Sequence, residues 1–462
     1  MNSSIQSAAP LRSGPTGRPV GPLLNWLFVD MNSYFASVEQ QVRPELRGRP
    51  VGIVPMMADT TCCIAASYEA KDFGVKTGTL VADARRLCPG IVFVEGRHQL
   101  YVEFHHRIVA AVESCLPVTG VYSVDEMGCR LMGRERPLLA AMELGRTVKA
   151  RIREQVGDML RCSVGLATNR YLAKIATNMD KPDGLIALTA DILPAALRQL
   201  TLRDLPGVGA RMEQRLNQRG IRTMDALLAL DCAQTGELWG SVWGERLWHW
   251  LRGEDFDMDE TAHPKSIGHQ HVLAPALRTL DLGWSVAHKL LHKAALRLRT
   301  GGLWTTRISL AISFLQPTDN RSGGNRSGDS TETRSRFGWS TQKGPPRRHS
   351  WSAELRLVEC QESDTLIHAL KKLWESRPTG AAFEKPYFIG IQLGDLVPDP
   401  LHTLNLFSSF DRAQRSARLS ATMDQLNNRY GMATLAPAAM LPATKQQAAP
   451  TRIAFSSIPD LF

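Results

Sequence analysis

Phe28-Val29-Asp30-Met31-Asn32-Ser33-Tyr34-Phe35-Ala36-Ser37-Val38-Glu39 is the stretch on which the reading of this chain turns. Residues 23–29 form an apolar run of strand length that delivers Asp30 at its C-terminal end. A charge there is costly without a partner. A helix follows from about Ser33, because Phe35, Val38 and Val42 recur at helical spacing with Glu39 and Gln40 on the other side. The plain alternative for Asp30 is a helix N-cap, a role aspartate fills well.

A second acidic element lies in Tyr122-Ser123-Val124-Asp125-Glu126. Residues 118–131 read as two short strands around a turn. Neighbours in a regular strand point to opposite faces, so Asp125 and Glu126 can serve one site only if both sit at the turn. Clustered carboxylates suit Mg²⁺, a hard ion that takes oxygen ligands. Two such ions about 3.5–4 Å apart are a recurrent device for phosphoryl and nucleotidyl transfer. Spacing alone leaves the alternatives open: a metal site, or a cap and a solvated turn.

Outward from these stretches, residues 50–54 and 63–66 read as short strands, with a helix through Tyr68 and Lys71. Residues 138–155 are helical, and a strand at 163–167 leads into a helix at 169–179. This alternation predicts an α/β or α+β catalytic domain to about residue 190. The pattern is helical from 192 to about 255. A further unit then shows a helix at 284–299, strands at 306–314, 352–358 and near 388–393, and a helix at 364–374. Residues 317–350 are rich in Ser, Gly, Arg and Thr, which predicts a disordered loop. The tail after about residue 400 reads as irregular with one helix near 417–430.

At 462 residues the chain is long enough for several domains. A net charge of +10 points to a polyanionic partner without separating DNA from RNA or a membrane surface. The eight cysteines form no CxxC pair, which argues against a zinc site or a disulfide framework and suits a reducing cytosol. Residues 1–22 lack the apolar core of a signal peptide and read as a flexible leader. No run is long enough to span a membrane, so a cytoplasmic protein with no membrane partner is expected.

The opening stretch resembles the first motif of Y-family DNA polymerases, and Tyr122-Ser123-Val124-Asp125-Glu126 resembles their second acidic motif. Ala66-Ser67-Tyr68-Glu69-Ala70-Lys71 with Phe73-Gly74-Val75-Lys76 looks like the fingers motif that holds the incoming triphosphate. Ser163-Val164-Gly165-Leu166-Ala167, then Leu172-Ala173-Lys174-Ile175-Ala176 and Lys181-Pro182-Asp183-Gly184, resemble the stretch that closes the palm. The motifs fall in family order over roughly residues 23–400. Within the family, Asn32 and an Asn-Leu-Phe tail lean toward the catalytic subunit of bacterial DNA polymerase V, while the fingers motif also suits DNA polymerase IV.

The resemblance implies an α+β multidomain right hand. The palm spans 23–190 with fingers inserted at about 42–99, a helix-hairpin-helix thumb spans 191–258, and a small α/β little finger spans 264–400. It implies error-prone translesion synthesis from dNTPs on primer-template DNA. Asp30, Asp125 and Glu126 would hold two Mg²⁺, with the Met31 carbonyl as a further oxygen. Tyr68, Lys71 and Lys181 would neutralise the triphosphate, although a lone lysine is more often a solvated charge. Phe35 matches the ring that excludes a 2′-hydroxyl; its bland alternative is a core residue. Two departures stand out: Asn32 replaces a frequent Asp, and Lys71 a frequent Arg, which loses the bidentate fork.

Leu205-Pro206-Gly207-Val208-Gly209 precedes a helix through Arg211 and reads as a helix-hairpin-helix. Gly207, Gly209 and Arg211 would meet DNA phosphates there. Arg297, Arg299, Arg307 and Arg356 could line the little finger's DNA face. Leu404-Asn405-Leu406-Phe407, in a flexible tail over 401–462, resembles the peptide by which bacterial polymerases dock on the sliding clamp. Leu404, Leu406 and Phe407 would be its anchors, and other damage-response proteins are further candidate partners. Two rival functions are a non-catalytic accessory relative that binds damaged DNA and the clamp, and a nucleotide cyclase on a related palm.

Overall fold

The computed structural model describes residues 22–57, 59, 61–256, 264–315, 348–403, 410–431, 434–446 and 448. The chain divides near residue 258 into two compact units. The first opens on β1 (Trp26–Met31), whose six residues are all buried, and α1 (Tyr34–Val42). β2 (Val51–Val54) and β3 (Ala65–Ala66) follow, then α2 (Tyr68–Lys71), α3 (Val81–Leu87) and β4 (Val92–Glu95). These strands make a small sheet in the order β3-β2-β4. α4 (His98–Glu113) leads to the hairpin of β5 (Gly120–Ser123) and β6 (Glu126–Arg130). α5 (Leu138–Gln155), β7 (Cys162–Ala167), α6 (Arg170–Met179) and β8 (Leu185–Leu188) complete a five-stranded sheet ordered β5-β6-β1-β7-β8.

β1 is central, pairing antiparallel with β6 and β7. That position explains its unbroken apolar run, since both faces are covered. The strand begins later than the sequence suggests and continues through Met31, so Asp30 lies inside the ladder, opposite Glu126 and Ser163. The strand expected at 63–66 shrinks to Ala65–Ala66. α3, β4 and α4 were not anticipated at all. α6 packs very closely on β7: a Cβ at Gly165 would stand 2.0 Å from the Ala173 carbonyl oxygen.

The rest of this unit is helical: α7 (Leu193–Arg198), α8 (Ala210–Gln218), α9 (Met224–Leu228), α10 (Cys232–Trp239) and α11 (Val242–Trp250). Leu216, Leu227, Leu247 and Trp250 share one buried cluster with Leu172 and Ile175 of α6.

The second unit contains β9 (Ser266–Val272), α12 (Leu280–Thr300), β10 (Leu303–Leu315), β11 (Arg348–Cys360), α13 (Ser363–Glu375) and β12 (Pro386–Pro398). Its sheet is antiparallel in the order β11-β10-β12-β9. Long strands alternate buried and half-buried residues here, as on β10, because helices cover only one face. Residues 317–347 of the expected disordered loop lie outside the described residues, and 348–350 belong to β11.

The tail contains the helix expected near 417–430, starting earlier, and adds a second, so its described residues are less irregular than the sequence suggests. α14 (Phe410–Tyr430) and α15 (Leu441–Lys445) pack on this unit. Arg299 donates bidentately to Asp424, Ala443 N–H donates to Ser285 Oγ (3.0 Å), and Lys289 Nζ donates to the Ala448 carbonyl (2.7 Å). Small residues such as Ala443 bury well without an obvious apolar stripe, so the sequence gives little sign of it. No described helix is long and apolar enough to cross a membrane.

Candidate active site

The β5–β6 hairpin brings the two acidic motifs together. Met31 N–H donates to the Asp125 carbonyl (2.9 Å), and Asp30 pairs across the ladder with Glu126. Asp125 occupies the turn, as expected, but Glu126 already belongs to β6. A register irregularity between Val121 and Ser123 reconciles the two, since it breaks the simple alternation of faces. The turn is anchored from α4: His105 is buried, which lowers its pKa, so the neutral ring donates from Nδ1 to the Val124 carbonyl (2.8 Å). The N-cap alternative for Asp30 fails, because α1 is preceded by Ser33 in a left-handed conformation (φ 48°).

Asp30, Met31, Phe35, Lys71, Asp125, Glu126, Lys174 and Lys181 line one cleft of about 430 Å³. Asp30 is 4% exposed and accepts from both Lys181 Nζ (2.9 Å) and Lys174 Nζ; Lys174 also donates to Glu126 (2.8 Å). Burial alone would lower the Lys174 pKa, but Asp30 and Glu126 outweigh it and hold the ammonium charged. Asp125 is pushed up to about 6, by burial first and then by Asp30 and Glu126, against the Ser123 hydroxyl that donates to it at 2.6 Å. Lys71 shifts the other way, lowered by burial and by Lys181. The acids thus crowd one another, Lys174 and Lys181 reach in among them, and Lys71 lies near enough to Lys181 to feel its charge. The cleft therefore mixes oxygen ligands for a cation with ammonium groups for an anion.

Lys71 Nζ donates to Ser33 Oγ (2.7 Å) and sits 4.3 Å above the Tyr68 ring. Tyr68 stands behind Lys71 rather than in the wall of the cleft. Burial raises its phenol to about 12, with Asp30 adding to the shift. Phe35 is 4% exposed and stacks on Tyr101 with centroids 4.3 Å apart. Tyr101 is in turn fixed by its hydroxyl on Glu39 (2.9 Å), and Glu39 by a two-armed contact from Arg97 (2.6 and 3.0 Å). Glu39 and Gln40 are therefore buried, not on a solvent side of α1 as the helical periodicity suggests. Glu39 is held by Arg97 and by Tyr101 of α4, while Gln40 donates to the nearby Leu46 carbonyl (3.2 Å) and to Glu69 of α2 (3.3 Å). Asn32 is buried as well, donating to Ser163 Oγ (3.1 Å) and accepting from Asp183 N–H (2.7 Å), which ties down the loop that carries Lys181.

Among the described residues no three His, Cys, Asp or Glu side chains stand close enough together to bind a metal ion as placed, and the Lys174 ammonium bridges two of the acids. The donor set nevertheless fits a hard divalent cation. It is all oxygen, with Asp30, Asp125 and Glu126 lining one cleft.

Lys174 is the cleft residue to which the sequence reading gives no role. Its signal is a lysine between the buried Ala173 and Ile175 on a strongly amphipathic helix. In the helical part of this unit, Gly207 adopts φ +88° and Gly209 precedes α8, with Arg211 in its first turn. In the second unit Arg299 and Arg307 are engaged by carboxylates, Arg299 by Asp424 and Arg307 by Asp395 and Glu354. Leu404, Leu406 and Phe407 lie outside the described residues.

Three family models match the chain: the impB/mucB/samB family at residues 29–178, the DNA polymerase-iota thumb domain at 203–255, and the impB/mucB/samB family C-terminal domain at 264–406. Among curated relatives, DNA polymerase IV of Moorella thermoacetica is 34% identical over 88% of this chain and 93% of its own length. DNA polymerase IV 2 of Bacillus subtilis is 27% identical over 90% and 95%. A solved Y-family DNA polymerase chimera of Dbh and Dpo4 aligns with TM-score 0.61 and 22% identity, covering 81% of this chain and all of its own. The fold is that mixed α/β right hand, with palm, fingers, helical thumb and small C-terminal α/β domain.

Proposed function

The chain belongs to the Y-family DNA polymerases, and from that premise we propose that its cleft joins a deoxynucleoside triphosphate to a primer 3′-hydroxyl opposite damaged template, with two Mg²⁺ held by Asp30, Asp125 and Glu126. It is a DNA-directed DNA polymerase of the translesion kind. The observation that carries the detailed reading is the convergence of three acids, three lysines and the buried Phe35 ring on a single cleft.

When bound, the two ions supply positive charge at the attacking and leaving oxygens. Asp30, Asp125 and Glu126 hold them, and the Met31 carbonyl offers a further oxygen. Lys181 and Lys71 take the triphosphate oxygens, with Tyr68 supporting Lys71 from behind. Lys174 bridges Asp30 and Glu126 and holds them in register. Phe35, fixed by Tyr101, lies under the sugar and leaves no room for a 2′-hydroxyl. Gly207, Gly209 and Arg211 contact the primer-template backbone, which makes binding salt-dependent and largely sequence-independent. Leu404, Leu406 and Phe407 anchor the sliding clamp; that assignment rests on the sequence alone. The relatives' shared name favours the polymerase IV branch over polymerase V.

The test is primer extension on undamaged and damaged templates, with Mg²⁺ and with a chelator. Template-directed extension that needs the metal is expected. Wild-type protein that binds primer-template without extending it would favour the accessory role instead.

A further inference from the structure

We propose that Cys232, at the start of α10, is a reactive thiol primed by a Cys232–His249–Glu254 relay for exchange with small disulfides, at a site separate from the polymerase cleft. Cys232 Sγ lies 3.7 Å from His249 Nε2, and His249 Nδ1 lies 2.8 Å from Glu254 Oε2. The Glu254 carboxylate holds the ring proton on Nδ1, which leaves the Nε2 lone pair facing the thiol. A base beside a cysteine, itself oriented by a carboxylate, is the arrangement that activates a sulfur nucleophile. Two aromatic groups set the plane of the imidazole edge-on, Trp248 at 5.0 Å and Phe256 at 5.8 Å between centroids.

Cys232 also sits at a helix start and beside a guanidinium. Cys232 is the first residue of α10, where unpaired backbone N–H groups favour negative charge. The preceding Asp231 carboxylate is engaged in capping, accepting from Gln234 N–H at 2.7 Å. Arg252 packs over the Trp248 ring at 3.7 Å and feels both Cys232 and Glu254, while burial lowers its own pKa. Glu245 presents its backbone carbonyl 4.0 Å from Sγ. Cys232 is partly exposed, and so are His249 and Glu254, so a small reagent can reach them.

The other cysteines differ in ways that make them internal controls. Cys63, Cys88, Cys129, Cys162 and Cys360 are buried, and burial pushes the thiols of Cys129, Cys162 and Cys360 up to about 12. Cys115 is partly exposed and donates to the Ala111 carbonyl (3.7 Å). Cys62 is partly exposed like Cys232.

In the exchange, the Cys232 proton moves to His249 Nε2 and the thiolate attacks one sulfur of a small disulfide. The S–S bond of the reagent breaks and a mixed disulfide forms on Cys232. The departing thiolate then takes the proton back from His249. One thiol and one disulfide enter, and one thiol and one disulfide leave.

The experiment follows adduct formation with oxidised glutathione on the full chain, by intact mass and peptide mapping, across pH 6–9. Wild type, Cys232→Ser, His249→Ala, His249→Asn and Glu254→Gln are compared. Cys232 should react about tenfold faster than Cys62 near pH 6.5. Both His249 variants should lose that advantage with the Cys62 rate unchanged, and Glu254→Gln should fall between. Cys232 reacting no faster than Cys62, or a wild-type pH profile in the His249 variants, would overturn the proposal.

Discussion

Asp30 and Arg307 each sit on a strand between two opposite charges, yet they describe two kinds of surface. Asp30 has a 5% exposed side chain and holds Lys174 and Lys181 at the floor of the palm cleft. Arg307, 30% exposed, reaches Asp395 and Glu354 on the little finger's sheet. Water can replace either partner of Arg307, so that cluster adds little. It cannot readily replace a partner of Asp30, and removing one leaves a buried charge uncompensated. Counting charges therefore says less than asking which charges the fold has buried without balancing. By that measure the palm cleft stands apart, with Asp125 pushed up and Lys71 down.

The contrast can be attacked at several points. Gly165→Ala should act most strongly, because the new methyl meets the Ala173 carbonyl and must push α6, which carries Lys174, away from β7. A loss of about 3 kcal/mol in denaturant unfolding is expected, with polymerase activity lost as well. Phe35→Ala should raise the ratio of ribonucleotide to deoxynucleotide incorporation about 10–100-fold in single-nucleotide kinetics. An unchanged ratio would return Phe35 to the status of a core residue. Asn32→Ala strips the Asp183 N–H of its acceptor and should cost about 1–3 kcal/mol. Its KM for dNTP should rise more than its kcat falls, because the change reaches the cleft through Lys181. Arg307→Ala should leave the thermal midpoint and basal extension within experimental error. A large loss there would mean that the exposed cluster matters as much as the buried one.

How much of this was legible in the sequence follows from the same contrast. β1 could be read because its apolar run ends in an acid, and the β5–β6 hairpin because a turn separates two short runs. The meeting of Asp30 with Glu126 is a matter of register between strands about a hundred residues apart, which periodicity does not encode. Glu39 looks like a surface residue until Arg97 and Tyr101 arrive from α4, an element with no sequence expectation behind it. Lys174 hid inside a quoted motif because a lysine on a helix is usually solvated. Arg299 failed in the opposite sense: it looks free for DNA but clips α14 through Asp424. Backbone neighbours are readable; partners brought together by folding are not.

The most direct measurement is single-turnover incorporation of the next correct dNTP at saturating Mg²⁺, by wild type, Asp125→Asn and Arg307→Ala on one primer-template. The Asp125 variant should be slower by about 10²–10³-fold while remaining folded and DNA-bound, and the Arg307 variant should match wild type. Wild-type rates from Asp125→Asn, or equal losses from both variants, would contradict a palm cleft that works through its clustered acids.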